Sequence, residues 1–269
     1  TLRLIPEHSP LPPFLAGQYI SLSVQTGGIV TSRPYSIASA PNQAGFWEIT
    51  VQRVASGLVS NYLLDQVHPG DVLQSSGPCG HFYFNPLFHD PDMVLIAGGA
   101  GVTPFMSMIR EITQCGLDRR IHLFYGNRTP EAALFHAELT ALAARFENIR
   151  YVPVIEDPPP EYQGRNGLIT KELIKETLGR MAERTFYVCG PQGLYDFCIP
   201  ELERLGVQRR KIRTEVYGPP VEVSQCPGWP PQISPDRVFS MDINDRESIP
   251  ARAGQPMLTS LEKAGVTLK

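Results

Sequence analysis

The sequence is short of three things: long apolar runs, an excess of charge of one sign, and paired cysteines. No hydrophobic stretch approaches the roughly 20 residues a membrane-spanning helix needs, so no span is expected. Lys and Arg (24) nearly balance Asp and Glu (27), for a net charge of -3, which leaves no basic field for nucleic acid or an anionic membrane. The five cysteines, Cys79, Cys115, Cys189, Cys198 and Cys226, are odd in number and scattered, so they form neither a disulfide framework nor a close metal pair. That usage, with no signal-peptide pattern near Thr1, predicts a reducing, cytoplasmic setting. Proline is plentiful instead: 26 among 269 residues, close to twice the ~5% average. The length suits about two domains of roughly 100–200 residues each.

Residues 1–90 read as short β segments broken by turns. Tyr19 to Val24 and Phe46 to Val51 alternate apolar and polar side chains, Phe82-Tyr83-Phe84 ends another such piece, and Thr1 to Ile5 begins as a strand. Gly27-Gly28 and Pro69-Gly70-Asp71 supply turns, and the pattern with its one brief helix predicts a closed antiparallel barrel. Residues 91–218 alternate strand and helix: an apolar strand Met93 to Ala97, a helix opened by Thr103-Pro104 with Thr103 as its cap, and a strand Ile121 to Tyr125. A helix from Thr129-Pro130 with Leu139, Leu142 and Phe146 on one face follows, then strand 151–155, helix 170–178, strand 185–189 and helix 193–205. This is the pattern of an α/β, doubly wound domain, whose ligands sit at the carboxyl ends of the strands. Residues 219–236 hold six prolines, Pro219, Pro220, Pro227, Pro230, Pro231 and Pro235, and read as a semi-rigid linker. Residues 237–269 read as strand, turn, strand and helix, too few to bury a core of their own, so an incomplete third domain is expected.

Three constellations carry chemistry. Arg33-Pro34-Tyr35-Ser36 on a strand puts Arg33 and Tyr35 on one face and Ser36 on the other. Arg33 offers a fork of donors for phosphate, Tyr35 a flat amphipathic ring and Ser36 a small hydrogen-bonding group; an edge strand with a solvated arginine would look the same. Gly57-Leu58-Val59-Ser60 runs a glycine turn into a short helix, whose free N–H groups suit a phosphate, although an ordinary capped helix reads alike. Gly98-Gly99-Ala100-Gly101-Val102-Thr103-Pro104 lies between a buried strand and a helix, where glycines let backbone approach a pyrophosphate. Pro104 stands where the usual dinucleotide fingerprint has its third glycine, and any tight strand-to-helix turn could read similarly. Cys189, by composition alone, is a small buried hydrophobe. The six histidines show no zinc-like spacing, and no metal site is expected among these residues.

Together, Arg33-Pro34-Tyr35-Ser36, Gly57-x-x-Ser60, Gly77-Pro78-Cys79-Gly80-His81-Phe82, the Gly98 to Pro104 loop, Tyr125-Gly126-Asn127-Arg128 and Cys189-Gly190-Pro191 resemble, in order and spacing, the landmarks of the ferredoxin–NADP reductase superfamily. The resemblance runs from residue 1 to about 218. It implies Arg33 on a flavin phosphate, Tyr35 beside the isoalloxazine, Ser36 near flavin N5, and Pro34, Val51, Leu58 and Val59 alongside. The Gly57 to Ser60 turn resembles the version that accepts the pyrophosphate of FAD, with FMN as the alternative. Gly98, Gly99, Gly101, Val102, Thr103, Pro104, Asn127, Arg128, Gly190 and Pro191 would hold the nicotinamide dinucleotide. The resemblance also puts Cys189 beside nicotinamide C4, Glu215 close to the reacting centre and Tyr217 over the flavin.

A 2′-phosphate would call for cations after the third strand of this domain, but Glu156-Asp157 stands there, which favours NADH over NADPH, with Asp157 on the ribose hydroxyls. Arg128 and Arg165 are the cations that could still serve NADPH. Val238 to Asp242, Ile249-Pro250-Ala251 and Gly254 to Val266 resemble the opening of a plant-type [2Fe–2S] ferredoxin domain whose cluster cysteines would follow Lys269. The expected activity is reduction of FAD by NADH and delivery of electrons, through such a cluster, to a downstream protein such as an oxygenase. A reductase of free flavin, ferric complexes or a haem domain, and a non-catalytic flavin- or nucleotide-binding module, are the alternatives.

Overall fold

The structure, a computed structural model, describes residues 1–216, 223–226, 228–243 and 247–267. It divides into two compact units whose borders cut across the expected domains. The first comprises Thr1–Ile20, Tyr35–Gln52 and the chain from Gly77 through the sixth strand of the parallel sheet; the second comprises Ser21–Pro34, Arg53–Ser76 and the C-terminal segment.

The early strands are β1 (Leu2–Leu4), β2 (Tyr19–Thr26), β3 (Ile29–Ser36) and β4 (Trp47–Ile49), followed by helix α1 (Leu58–Asp65) and β5 (Gln74–Ser75). They pair as two small sheets, β1-β4 and β3-β2-β5, supplemented by single bridges Tyr19↔Cys79 and Ile37↔Ile49. In place of the expected closed barrel, the observed pairing is these two small sheets and two single bridges. Phe82-Tyr83-Phe84, expected to end a strand, lies in a loop. Gly80 turns the chain there at φ 100°, and Phe82 leaves the ladder to pack edge-on against Tyr187, 5.5 Å between ring centroids.

The rest of the first unit is a parallel sheet. Strands β6 (Asp92–Gly98), β7 (Arg120–Asn127), β8 (Ile149–Ile155), β9 (Arg165–Asn166), β10 (Thr185–Gly190) and β11 (Ile212–Val216) lie in the order β11-β10-β6-β7-β8-β9. Helices α2 (Thr103–Cys115), α3 (His136–Arg145), α4 (Lys171–Leu178) and α5 (Gln192–Arg204) connect them. Odd and even positions of the strands feed different cores. Met93, Leu95, Leu123 and Tyr187 pack with Phe105, Ile109 and Leu139 of α2 and α3, whereas Val94, Ile96, Phe124 and Val188 pack with Ile174, Leu178 and Leu202 of α4 and α5. Burial on both faces explains why β6 reads as an unbroken apolar run. From β6 the chain winds outward through β7 and β8, then returns to place β10 on the other side of β6. The carboxyl ends of β6 and β10 therefore flank the switch point, where a crevice opens in such sheets.

Two helix starts differ from expectation. Thr129-Pro130 opens only a 3₁₀ turn, Pro130–Ala132; α3 begins at His136, after Phe135 at φ 56° breaks the path. Thr103 is the first residue of α2 rather than its cap, and its hydroxyl donates to the Ala100 carbonyl at 2.8 Å. Thr170 does cap α4, accepting from the Leu173 N–H at 3.3 Å.

In the second unit, β12 (Val238–Ile243) and β13 (Glu247–Arg252) pair antiparallel and α6 (Met257–Lys263) follows. The expected linker, 219–236, is described in part: Val223–Gln225 form a 3₁₀ turn, and the Trp229 indole N–H donates to the Ile233 carbonyl at 3.0 Å. Among the described residues no helix is long and apolar enough to cross a membrane.

Candidate functional site

Gly98 ends β6, residues Gly99–Val102 form a 3₁₀ turn, and α2 starts at Thr103 with Pro104 in its first turn. The turn lies directly on the end of β10. A Cβ added at Gly101 would lie 2.0 Å from the Cys189 carbonyl oxygen, and one at Gly190 would lie 3.1 Å from the Gly98 backbone nitrogen and oxygen. These glycines let the loop pack directly on the end of β10, backbone against backbone. Two tyrosine hydroxyls hold the arrangement. Tyr125 donates to the Gly99 carbonyl at 2.9 Å and accepts from the Leu134 N–H at 3.0 Å. Tyr195 accepts from the Gly190 N–H at 3.0 Å and donates to the Glu215 carbonyl. Burial raises the pKa of both phenols, so both stay neutral donors.

Register gathers the remaining nucleotide candidates at the same edge. Ala97 pairs with Cys189 and with Tyr125, and Cys189 pairs with Glu215. Val102 and Cys189 are fully buried, while Pro191 follows as the cap residue of α5. Desolvation raises the Glu215 pKa against the opposing charge of His81, and both residues line a cavity of about 280 Å³ with Phe82, Arg213 and Thr214. At the end of β7, the Asn127 amide is 7% exposed. It lies by the Tyr125 hydroxyl, which is already committed twice, and neither its oxygen nor its nitrogen makes a hydrogen bond of ordinary geometry. A buried amide in this state is suited to a polar ligand. Arg128 and Asp157 pair with each other at 2.9 Å on the surface, and Arg165 pairs with Glu176 at 3.0 Å. The two cations that could have served a 2′-phosphate are therefore both engaged by carboxylates.

The segment that continues Arg33-Pro34-Tyr35-Ser36 comes to this loop within the first unit. Ser36 is buried and Tyr35 half-buried at the end of β3, and Val51 is buried after β4. Gln52 brings its side-chain oxygen 3.7 Å from where a Cβ of Gly99 would be.

The other candidates for the flavin phosphates fall in the second unit. Gly57 caps α1 at φ -73°, ψ 122°, with no side-chain cap and no acidic residue in the first turn. The N–H groups of Leu58 and Val59 thus open an α1 terminus that contains no competing anion. A Cβ at Gly57 would lie 2.6 Å from Ser60 Oγ and 2.9 Å from Val54 Cβ, so only glycine closes this turn. Ser60 Oγ accepts from the Val54 N–H at 3.1 Å and so closes the turn from inside. Pro34 is exposed. Arg33, predicted to face a phosphate, instead donates both Nη2 bonds to Glu262 of α6, at 2.7 and 2.9 Å. Thr31 also donates to Glu262, at 2.6 Å. Tyr217 lies outside the described residues. Sequence reasoning missed Tyr195 and Glu262. The hydroxyl role of Tyr125, inside the Tyr-Gly-Asn-Arg motif, is set by the distant Gly99 carbonyl, and nothing local marks Tyr195 or Glu262.

Among the described residues no group of three His, Cys, Asp or Glu side chains is placed to hold a metal. The donors present do fit the two organic groups expected: an uncapped, acid-free helix start and glycine-closed turns for phosphates, and a buried amide at the strand ends.

Comparison with known proteins agrees with this geometry. The Oxidoreductase FAD-binding domain family matches residues 5–84, and the Oxidoreductase NAD-binding domain family matches residues 95–199. Ferredoxin–NADP reductase B of Sorangium cellulosum is 33% identical over 211 residues, covering 76% of this chain and 85% of that protein. Phenol hydroxylase P5 protein of Acinetobacter pittii is 35% identical over 207 residues, covering 76% of this chain and 58% of its own length. The chain spans little more than half the length of the curated relatives it matches first, from 53% to 58%. Phthalate dioxygenase reductase, described as modular for electron transfer from pyridine nucleotides to [2Fe–2S], superposes with a TM-score of 0.71 at 24% identity, covering 99% of this chain and 76% of that one. At that identity the likeness is one of fold. The chain belongs to the ferredoxin–NADP reductase-like family of FAD- and NAD-binding oxidoreductases.

Proposed function

We propose that this chain is the flavin and nicotinamide portion of an NADH-dependent reductase that passes electrons to a partner protein such as an oxygenase. The observation that carries the reading is the joining, in one compact unit, of the Gly98–Pro104 loop, the Cys189–Pro191 turn and the segment that continues the Arg-Pro-Tyr-Ser motif. In this reading the chemistry would be the cofactors' own: hydride from NADH to FAD when both are bound, and single electrons onward from the flavin. The chain itself binds and orients. Gly98, Gly99 and Gly101 bring backbone to the dinucleotide, and Val102, Thr103 and Pro104 start the helix whose N-terminus faces it. Cys189 would lie beside nicotinamide C4, with Gly190 following it in the same turn, and Ser36 would hydrogen-bond near flavin N5. Glu215, whose pKa burial raises, stands near that centre. Arg33 and the Gly57–Ser60 turn serve the flavin phosphates.

Three finer points belong to the proposal. FAD is favoured over FMN by the Gly57–Ser60 turn. NADH is favoured over NADPH because Glu156 and Asp157 stand after β8 and the nearby arginines are neutralised. The β12–β13–α6 segment is taken as the opening of a [2Fe–2S] ferredoxin-like domain; the hairpin-and-helix order and a fold likeness to phthalate dioxygenase reductase that spans 99% of this chain support it. The domain borders 1–90, 91–218, 219–236 and 237–269 and a cytoplasmic location belong to the same reading.

Anaerobic addition of NADH to the flavin-loaded protein tests it. Stoichiometric loss of the yellow flavin absorbance is expected, faster with NADH than with NADPH, followed by turnover with cytochrome c. A protein that binds flavin and NADH without bleaching is a binding module, and the proposal fails. Turnover only with added free flavin would replace the protein acceptor with a diffusible one.

A further inference from the structure

Three polar residues, Thr103, Ser107 and Arg110, follow one another along α2 at spacings of four and three, which sets them on one stripe of the helix. Thr103 stands at the nucleotide loop. The other two grip the chain just beyond Ser36. Ser107, fully buried, donates its hydroxyl to the Ser39 carbonyl at 2.7 Å. Arg110 donates to the Ala38 carbonyl at 2.9 Å and to Glu48 Oε1 at 2.7 Å, and its remaining arms hold both oxygens of Glu138 at 2.7 Å. The gripped segment is itself tied down. The Ala38 N–H donates to the Glu48 carbonyl at 2.6 Å, and the Glu48 N–H donates to Ser39 Oγ at 3.1 Å. Every one of these residues belongs to the first unit.

Stability alone is a poor reason for this cluster. The Arg110 and Glu48 side chains are only 15% and 9% exposed, and an apolar pair of similar volume would serve burial about as well. A guanidinium fork held at the Ala38 carbonyl and two carboxylates supplies direction instead, because each of its planar donors has one geometry that fits. Helix α2 cannot slide or rotate against Ala38–Ser39 without breaking several charge-assisted bonds together.

We propose that Ser107 and Arg110 are positioning residues that register the nicotinamide-binding loop, at the start of α2, on the flavin-binding segment Tyr35–Ser39. The inference rests on the reductase reading above. Neither residue touches a reacting atom in this account; they set the separation and angle between the two cofactor sites. Hydride transfer is sensitive to that separation, since a misplacement of about 1 Å can cost on the order of 100-fold in rate.

Rapid-mixing reduction of the flavin-loaded protein over a range of NADH concentrations separates binding from transfer. Arg110→Met is expected to lower the limiting bleaching rate by about 10- to 100-fold, with flavin content and NADH Kd unchanged. Arg110→Lys should recover part of the loss, because an ammonium reaches the Ala38 carbonyl but cannot span both carboxylates. Ser107→Ala deletes a single bond and is expected to cost about 3- to 10-fold in the same limiting rate; it decides the matter if Arg110→Met does not fold. Limiting rates equal to wild type in the folded variants overturn the inference, as does a loss confined to NADH affinity. A wild type that NADH fails to bleach overturns the reductase reading and the inference with it, so the two failures are told apart.

Discussion

The glycine loop of the first unit and the arginine-bearing edge of the second are both suited to phosphate, yet they are held by different physics. The Gly98–Pro104 loop is fixed by steric contact: Gly101 meets the end of β10, and the buried hydroxyls of Tyr125 and Tyr195 lock the carbonyls and N–H groups around it. Arg33 is fixed by charge, through its two bonds to Glu262 and that carboxylate's further bond from Thr31. Nearby in sequence, Arg53 pairs with Asp65 by two bonds, at 2.6 and 2.8 Å, with both side chains about half exposed. Steric contact responds to volume and hardly to salt, whereas an ion pair responds to a competing anion and, in proportion to its exposure, to ionic strength. In the functional reading, the first unit's loop is therefore preformed for the nucleotide. At Arg33 a carboxylate holds the place that the functional reading gives to a phosphate.

The largest effect expected from this contrast is at Gly101. In Gly101→Ala the new Cβ would press on the Cys189 carbonyl, so the protein should lose about 3 kcal/mol of stability and its NADH binding with it. Thermal melts and NADH titration check this, and an unchanged melt together with unchanged NADH affinity would break the steric half of the comparison. Next in size is Arg33→Met, expected to weaken flavin binding by about 10- to 100-fold, the worth of a charge-assisted pair of hydrogen bonds, with an effect that shrinks as salt is raised. Its counterpart Glu262→Gln weakens the hold on the guanidinium and should tighten flavin binding, at a cost of about 1–3 kcal/mol in stability because the Glu262 side chain is only 10% exposed and accepts from both Arg33 and Thr31. Weaker flavin binding in Glu262→Gln would mean that the carboxylate supports the phosphate site rather than competing for it.

A smaller effect is expected at the surface pair near the end of β7. Asp157→Asn should narrow the preference for NADH over NADPH, measured by relative kcat/KM, and move stability by less than about 0.5 kcal/mol. The smallest concerns pH. Burial holds the Glu215 pKa above its ordinary 4.5, so its protonated form favours the folded state. That contribution is fully present below the unfolded pKa and is lost as pH rises through the folded one. Glu215→Gln should remove it, and melts from acid to neutral pH should show the variant gaining on wild type as pH rises. Parallel curves would mean that Glu215 ionises as freely in the folded chain as in the unfolded one.

Much of the nucleotide-binding half was legible because its signals are local. Met93 to Ala97 is apolar without a break, since β6 is covered on both faces, and the helix expected over 170–178 is observed as α4. Failures came where a local signal had two outcomes. Thr129-Pro130 suits the first turn of any helix, but Ala133 turns extended at ψ 97° and ends it as a 3₁₀ turn, and α3 starts only after Phe135 at φ 56°. Phe82 has strand character by residue type, yet its ring is used to plug the core against Tyr187 and Phe105. Arg33 was legible as an anion binder, but its partner lies 229 residues away and no spacing announces it.

By itself, then, the sequence determined which residues could serve phosphates, in what order, and that an α/β sheet would follow a set of short strands. Those properties depend on residue type, glycine placement and apolar periodicity, which act over a few neighbours. Only the tertiary structure decided that Gly101 must stay glycine because of Cys189, that Arg110 bridges Glu48, Glu138 and the Ala38 carbonyl, and that Arg33 is held by Glu262. Each joins segments far apart in the chain, and such pairings are set by how strands and helices pack, which local pattern does not encode.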